Sequence, residues 1–183
     1  MFPILKSLSN PDYSHQYFVD GQLTDGDAYL SSTWKNVLLG STGAGPAAIF
    51  ALDITAPDAM NATNVMWEKT PADTGLGDMG KVMGPVSVVL LTTGKWAAIF
   101  GNGYDSSSGK AMLYILDLSD GSLITKFDLG GTANGLTAPA LVFNSSRQLV
   151  GAYAGDLLGK LWKFDLSDAS SAKWTSSLLF TTS

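Results

Sequence analysis

The chain has 183 residues, which is enough for one well-buried core. Its 16 acidic and 11 basic side chains give a net charge of -5, which argues against a nucleic-acid-binding surface. The absence of cysteine excludes disulfides, thiolate metal sites and cysteine nucleophiles, and the 20 glycines favour many short strands joined by tight turns.

The start of the chain, residues 1–16, has too short an apolar stretch and too little basic charge for a secretory signal. The longest apolar run of the whole chain, Val86 to Leu91 with Ser87 inside it, is far shorter than a membrane span. If the protein works outside the cytoplasm, we expect its export signal to lie upstream of these residues.

The first unit of the chain is predicted to contain four extended runs separated by Gly, Pro, Asn and Asp. A polar turn at 21–27 follows the first of them. The four predicted strands are His15 to Asp20, Trp34 to Gly40, Ala48 to Thr55 and Val65 to Lys69.

Two further units repeat this order of four strands. In the second, the dipeptide at Asp120 and Gly121 lies between alternating apolar runs and is a strong hairpin signal. The predicted strands of the second unit are 85–91, 95–100, 111–118 and 123–129. Those of the third are 138–143, 149–154, 160–166 and 173–180.

An apolar run ending in aspartate recurs at Asp53, Asp117 and Asp165, which gives the chain a period of roughly fifty to sixty residues. Four antiparallel strands per repeat are typical of a β-propeller blade. The sequence therefore predicts an all-β fold, a single partial β-propeller domain over 1–183. Its blades span 14–70, 84–130 and 136–181. Because propellers close with about four to eight blades, three blades predict part of a larger domain or a ring completed by two copies.

Several segments resemble the C-terminal β-propeller of the PilC/PilY type IV pilus proteins. The most specific are GKWAAIFGNGY at 94–104 and AGDLLGKLWKFDL at 154–166; the others are 15–21, 48–55 and 113–118. This resemblance covers nearly the whole chain in the family's order. It implies a piece of a modified seven-bladed, quinoprotein-like propeller.

The resemblance also implies a function. Members of this family are large surface proteins of the pilus tip that support pilus extension against retraction and contribute to adhesion and twitching motility. Their expected partners are pilins, minor pilins and a host or abiotic surface, at the cell surface, the pilus tip or the outer membrane. We expect no catalytic and no cofactor-binding residue. We also expect that the chain neither binds a nucleic acid nor spans a membrane.

Some family members hold Ca²⁺ in an acidic, EF-hand-like propeller loop, and Ca²⁺ needs about six to eight oxygen ligands. The corresponding place is the segment 143–148, FNSSRQ, just before the strand that leads into AGDLLG. This segment has no carboxylate, and Arg147 brings a positive charge. We therefore expect no calcium, no other metal and no cofactor in this chain, although a calcium loop in a missing blade stays open.

Two glycine-rich motifs have non-functional explanations. The run Gly75 to Lys81 has P-loop spacing, but Val82 replaces the required Ser or Thr and the strand–loop–helix context is missing, so a flexible linker between blades is favoured. The run Gly40 to Gly45 is followed by Pro46 and a strand, so no helix N-terminus is available for a phosphate and a hairpin loop is favoured.

The single histidine, His15, excludes a multi-histidine metal site and is expected to be structural. Turn formation explains the aspartates near the first turn and beside the serines at 106–108 better than cation binding does; they are Asp20, Asp25, Asp27 and Asp105. The repeated aspartates, together with Asp156, are expected to accept backbone N–H groups. Trp34, Trp96 and Trp162 are expected to pack between blades, while an exposed aromatic cluster for adhesion stays possible.

Two other functional classes remain open. Leu116 to Gly121 also resembles the repeat of quinoprotein dehydrogenases, but the acidic and amide ligands of a quinone pocket and adjacent cysteines are missing. A general protein-binding scaffold is the other alternative, since a propeller fold by itself does not specify function. Open terminal blades would expose unpaired strand edges, which predicts self-association or marginal stability.

Overall fold

The computed structural model describes residues 6–182, and these residues form an all-β structure with twelve strands. We call the three groups of four consecutive strands blade 1, blade 2 and blade 3. Blade 1 contains β1 (Leu23–Leu30), β2 (Thr33–Ser41), β3 (Ile49–Asp53) and β4 (Val65–Lys69). Blade 2 contains β5 (Ser87–Leu91), β6 (Trp96–Gly101), β7 (Met112–Asp117) and β8 (Leu123–Asp128). Blade 3 contains β9 (Ala140–Phe143), β10 (Gln148–Gly155), β11 (Lys160–Asp165) and β12 (Thr175–Thr181).

Within each blade, consecutive strands pair antiparallel. The all-β, partial-propeller prediction is confirmed. The predicted domain and blade boundaries stay a prediction. The helical segments within residues 6–182 are each three or four residues long, far too short to cross a bilayer.

Blades 2 and 3 are joined, although the sequence predicts three separate sheets. Gln148 and Leu149 of β10 pair in parallel with Leu90 and Leu91 of β5, which produces one eight-stranded sheet. The cause is the register of β10 with β11. Their pairing begins only at Gly151, so the first residues of β10 extend past the end of β11 and their backbone groups bond to β5 instead.

Blade 2 is buried on both faces, because its residues alternate between two hydrophobic clusters. Phe100 and Tyr114 pack in the cluster shared with blade 1, and Ile99 and Leu113 pack in the cluster shared with blade 3. All six residues of β6 except Trp96 are buried, as are all of β7 except Asp117. The core of the molecule therefore lies on the two sides of blade 2.

The predicted first strand is wrong. Residues 15–20 form no strand, and the predicted polar turn at 21–27 lies largely within β1. The hairpin turn is instead Ser31 and Ser32, both in the left-handed region with φ of 49° and 65°. Glycine is needed at position 26 of β1 because blade 2 lies close to the backbone there: a Cβ at this position would lie 2.9 Å from Cβ of Val88.

Candidate functional site

The repeated aspartates make one turn three times. In each blade, one carboxylate oxygen accepts both the backbone N–H and the hydroxyl of the Ser or Thr two residues later. The hydroxyl bonds are 2.6 Å long in all three cases, for the pairs Asp53–Thr55, Asp117–Ser119 and Asp165–Ser167. The prediction that these carboxylates accept backbone N–H groups is confirmed.

In blades 1 and 2, a lysine binds the second oxygen of this aspartate. The Lys35 Nζ to Asp53 Oδ2 distance is 2.8 Å, and the Lys95 Nζ to Asp117 Oδ2 distance is 3.0 Å. The hydrogen bond from Lys35, followed by that from Thr55, lowers the pKa of Asp53 to about 2. The carbonyls of Asn36, Trp96 and Val150 accept the same backbone hydrogen bond in the three blades, so these residues are equivalent. The residue before each of them is Lys35, Lys95 and Leu149, respectively. Blade 3 therefore has a buried leucine in place of the lysine.

A second repeated position lies directly after the second strand of each blade, where Thr42, Asn102 and Asp156 are all buried. A side-chain oxygen of each accepts the backbone N–H of a residue at or just before the next strand. These bonds come from Ala48, Met112 and Lys160 and are 2.9 to 3.0 Å long. Each side chain thus closes the loop that follows its strand.

Asp156 accepts four hydrogen bonds through its side chain. Its Oδ1 accepts the N–H groups of Leu158 and Lys160, and its Oδ2 accepts Nε1 of Trp162 at 3.0 Å and Nδ2 of Asn134 at 3.1 Å. Burial alone would raise the pKa of Asp156, but these hydrogen bonds outweigh burial and hold it below the ordinary value. The carboxylate therefore stays charged and serves as a structural anchor.

Asn102 and Asn134 fix the loop that connects blade 2 to blade 3. Asn102 Oδ1 also accepts the N–H of Leu136, and Asn102 Nδ2 donates to the carbonyls of Asp78 and Lys110 at 2.8 Å. Sequence reasoning missed both asparagines. The available signal was the polar residue that follows the second strand in every unit, since Asn102 occupies the place of Asp156.

These anchored loops form a mostly apolar cleft of about 400 Å³ at the edge of blades 2 and 3. Its lining includes Val82, Met83, Tyr104, Leu136 and Leu157. Three backbone bridges connect the loops around it, from Lys81 to Tyr104, from Gly103 to Leu136 and from Leu136 to Asp156. Glycine is required at 103, since a Cβ there would lie 1.8 Å from the carbonyl oxygen of Lys81. The cleft has the concave, apolar character of a binding site but no convergent catalytic groups.

The remaining predicted residues have local partners. Asp20 Oδ1 accepts the N–H of Ala44, and Asp27 Oδ1 accepts Asn36 Nδ2 at 2.5 Å. Asp25 and Asp27 both lie in β1, so the turn prediction is wrong for them. Asp105 pairs with Lys81 at 3.0 Å. Within residues 6–182, no three acidic or histidine side chains are placed to hold a metal ion.

The glycine-rich motifs lie in loops. The loop after β2, residues 42–48, confirms the hairpin prediction for Gly40 to Gly45. The run Gly75 to Lys81 lies between β4 and β5, where the buried Leu76 and Met79 anchor it in the core. The run is therefore a linker between blades, as predicted, but it is fixed by contacts with the core.

The tryptophans that pack between blades were partly misassigned. Trp34 contacts Trp96 of blade 2, with ring centroids 6.0 Å apart, but it is 61% exposed, whereas Trp67 and Trp174 are buried. Trp96 and Trp162 are partly buried and pack against the two core clusters, in line with the prediction. His15 is exposed, with its ring 4.9 Å from that of Tyr17.

Comparison with known proteins decides the family. The family model described as the PilY1 beta-propeller domain matches residues 2–177. The chain belongs to this family. It is 44% identical over 180 residues to a type IV pilus biogenesis factor PilY1 homolog of Xylella fastidiosa, covering 91% of the chain and 12% of that protein. It is 40% identical over 173 residues to the type IV pilus biogenesis factor PilY1 of Pseudomonas aeruginosa, covering 91% of the chain and 14% of that protein.

A solved structure in the PilY1 family is also similar. The crystal structure of the Pseudomonas aeruginosa PilY1 C-terminal domain matches with a TM-score of 0.75 and 40% sequence identity, over 83% of this chain and 31% of that chain. The present chain thus spans about a third of that domain and less than a sixth of the curated PilY1 relatives.

Proposed function

We propose that the chain is a non-enzymatic β-propeller module of a type IV pilus tip protein that supports pilus extension, adhesion and twitching motility. The observation that carries this proposal is the match to the Pseudomonas aeruginosa PilY1 C-terminal domain, at 40% identity and a TM-score of 0.75. The relatives with these similarities are named as pilus biogenesis factors.

The chemistry of the blades supports a scaffold rather than an enzyme. The carboxylates that recur in each blade are bonded to neighbouring backbone, hydroxyl and lysine groups, as at Asp53 and Asp117. The buried polar groups Asn102 and Asp156 are likewise fully engaged in closing loops. A rigid frame that presents surface loops is the usual basis of a recognition module.

The proposed partners are pilins and minor pilins, together with the surface to which the cell attaches. The proposed location is the pilus tip or the outer surface of the cell. The pilus-related names of the relatives support both proposals.

We further propose that the loop at 143–148 holds no calcium. Asn144 Oδ1 already accepts the N–H groups of Ser146 and Gln148, both at 2.9 Å, and Arg147 places a cation beside it. Thermal unfolding with calcium and with magnesium checks this directly. A saturable rise of Tm specific to calcium, abolished by Asn144→Ala, would contradict it.

Deletion of the gene for the full-length protein tests the pilus function. We expect the deletion strain to lose surface pili and surface attachment, measured on sheared and quantified pilin, and to regain both on complementation. If the protein opposes retraction, removing the retraction motor from the same strain should restore part of the surface pili. Normal piliation and attachment in the deletion strain would refute the proposal.

A further inference from the structure

Two tripeptides of the chain have the form Asn-x-Ser/Thr, the acceptor motif for attachment of a sugar to an asparagine side chain. The first is Asn61-Ala62-Thr63, in the loop between β3 and β4. The second is Asn144-Ser145-Ser146, in the hairpin between β9 and β10. All six residues are exposed. Because exposure does not distinguish the two motifs, the local geometry of each asparagine decides between them.

The loop that carries Asn61 stands out from the body of blade 1. Residues 54–64 connect β3 to β4, whereas the corresponding connection in blade 2 has only residues 118–122. Every residue from Thr55 to Thr63 is exposed. The loop therefore has room for a bulky, hydrated sugar chain.

Thr63 holds the side chain of Asn61 through two donors. Asn61 Oδ1 accepts the backbone N–H of Thr63 at 2.9 Å and the Thr63 hydroxyl at 2.7 Å. The backbone N–H of Asn61 in turn donates to Oδ1 of Asn64 at 2.8 Å, which completes a capping box around a short turn at 62–64. The acceptor amide is thus preorganised, with the hydroxyl of the motif already bonded to it.

These hydrogen bonds prepare the nitrogen of Asn61 for bond formation. An amide nitrogen is a weak nucleophile because its lone pair is delocalised towards the oxygen. When this nitrogen loses a proton, negative charge develops on Oδ1, and donors that already point at such an atom stabilise the charge. Asn61 Nδ2 donates one N–H to the carbonyl of Ala59 at 3.2 Å, and its second N–H has no partner within residues 6–182.

Asn144 has a different arrangement. Its Oδ1 accepts the backbone N–H groups of Ser146 and Gln148, both at 2.9 Å, and its Nδ2 donates to Oε1 of Gln148 at 3.1 Å. In the part of the chain that the structure describes, the Ser146 hydroxyl makes no hydrogen bond to Asn144. The amide of Asn144 therefore closes the hairpin and lacks the contact with the hydroxyl of its motif.

We propose that Asn61 is a site of N-linked glycosylation and that Asn144 is not. Asn61 Nδ2 forms a bond to the anomeric carbon of a sugar that is activated as a diphosphate ester. The bond from this carbon to the phosphate oxygen breaks, and its electron pair leaves with the diphosphate. The proton of Nδ2 passes to a base of the cell's glycosyltransferase. This inference rests on the proposed location at the outer surface of the cell, since the motif is used in exported proteins.

The test is mass spectrometry of the full-length protein purified from the surface of its own cells. Trypsin separates the two motifs, because cleavage after lysine and arginine yields the peptides 36–69 and 127–147. We expect the added mass of a sugar chain on the first peptide, localised to Asn61 by electron-transfer fragmentation, and none on the second. Thr63→Ala removes the hydroxyl and should abolish the addition. Thr63→Ser keeps the hydroxyl and should retain the addition.

Asn144→Gln is the matched control and should leave the addition at Asn61 unchanged. Unchanged Tm values of the 183-residue chain with Thr63→Ala or Thr63→Ser would separate the effect on the motif from an effect on folding. An unmodified 36–69 peptide, a sugar attached to Ser or Thr, a sugar on Asn144, or an addition that persists in Thr63→Ala would each overturn the proposal.

The glycosylation proposal and the pilus function can fail separately. An unmodified protein recovered from the cell surface would refute only the glycosylation of Asn61. Normal surface pili in a strain that lacks the full-length gene would refute only the pilus function. Cells that carry Asn61→Gln in the full-length protein should lose the sugar and keep their surface pili.

Discussion

Trp67 of β4 donates its Nε1–H to the backbone carbonyl of Leu118 at 2.8 Å and so links the outer strand of blade 1 to blade 2. The ring is buried in the cluster between these blades. The two residues are 51 positions apart in the chain, and the indole N–H gives the buried carbonyl of Leu118 a hydrogen-bond donor from the other blade.

Trp67→Phe keeps most of the buried ring but removes this hydrogen bond. We expect the free energy of unfolding to fall by about 1 to 3 kcal/mol, because a buried carbonyl is left unpaired. Urea denaturation measures the change. Trp34→Phe is the matched control, since Trp34 is exposed, and it should change the stability by less than about 0.5 kcal/mol. Equal stability of the two variants would show that the Trp67 bond contributes nothing.

The Lys35–Asp53 pair makes stability depend on pH. The folded-state pKa of Asp53, about 2, lies below its ordinary value of 3.8, so the folded protein binds fewer protons than the unfolded one between these values. The stabilisation is therefore complete above pH 4 and is lost as the pH falls towards 2. Asp53→Asn should lower the free energy of unfolding by about 1 kcal/mol at pH 7.

Urea titrations of wild type and Asp53→Asn between pH 7 and pH 3 check this, and the gap between them should narrow as the pH falls. Asp165→Asn is the control, because Asp165 makes the same turn without a lysine hydrogen bond. A gap that is independent of pH would contradict the role of the charge.

Asp156→Asn tests the anchor at the end of β10. The amide would present N–H groups where the carboxylate now accepts only hydrogen bonds, including those from Trp162 and Asn134. We expect a loss of about 2 to 3 kcal/mol, the cost of leaving buried donors unpaired. Differential scanning calorimetry measures it, and an unchanged Tm would exclude the anchor. Asp165→Asn, on the surface, again serves as the comparison.

Strand β12 predicts self-association. Among the described strands it pairs on one side only, with β11, and all seven of its residues are exposed, including Leu178, Leu179 and Phe180. Exposed apolar edge strands pair with other chains, and a charge on the edge suppresses this. We expect the 183-residue chain to associate in light scattering at high concentration and Phe180→Lys to reduce the association. A strictly monomeric wild-type chain would refute this prediction.

The strands of blades 2 and 3 could be predicted because their turns carry strong signals, such as the Asp120–Gly121 dipeptide between apolar runs. The first strand could not. β1 contains Asp25, Gly26 and Asp27, which disfavour strands, and its turn is Ser-Ser instead of Asn-Gly. Its eight backbone pairs with β2, which local propensity does not show, hold it in the sheet.

The candidate site was predictable only in part. The turns at Asp53, Asp117 and Asp165 follow from local sequence, because each carboxylate bonds a residue two positions away. The role of Asn102 depends on Leu136, which is 34 residues distant, and could not be read from its neighbours. The same holds for the tryptophans, since only the fold determines that Trp67 is covered by blade 2 while Trp34 is exposed.

The most direct test of the pilus function is a chimera. In this chimera, the matching segment of Pseudomonas aeruginosa PilY1, which is 40% identical, is replaced by this chain. The chimera is expressed in cells that lack their own PilY1, and surface pilin is quantified after shearing. With intact PilY1 as the positive control, the account predicts that the chimera restores surface pili. A full-length, exported chimera that yields no surface pilin would contradict it.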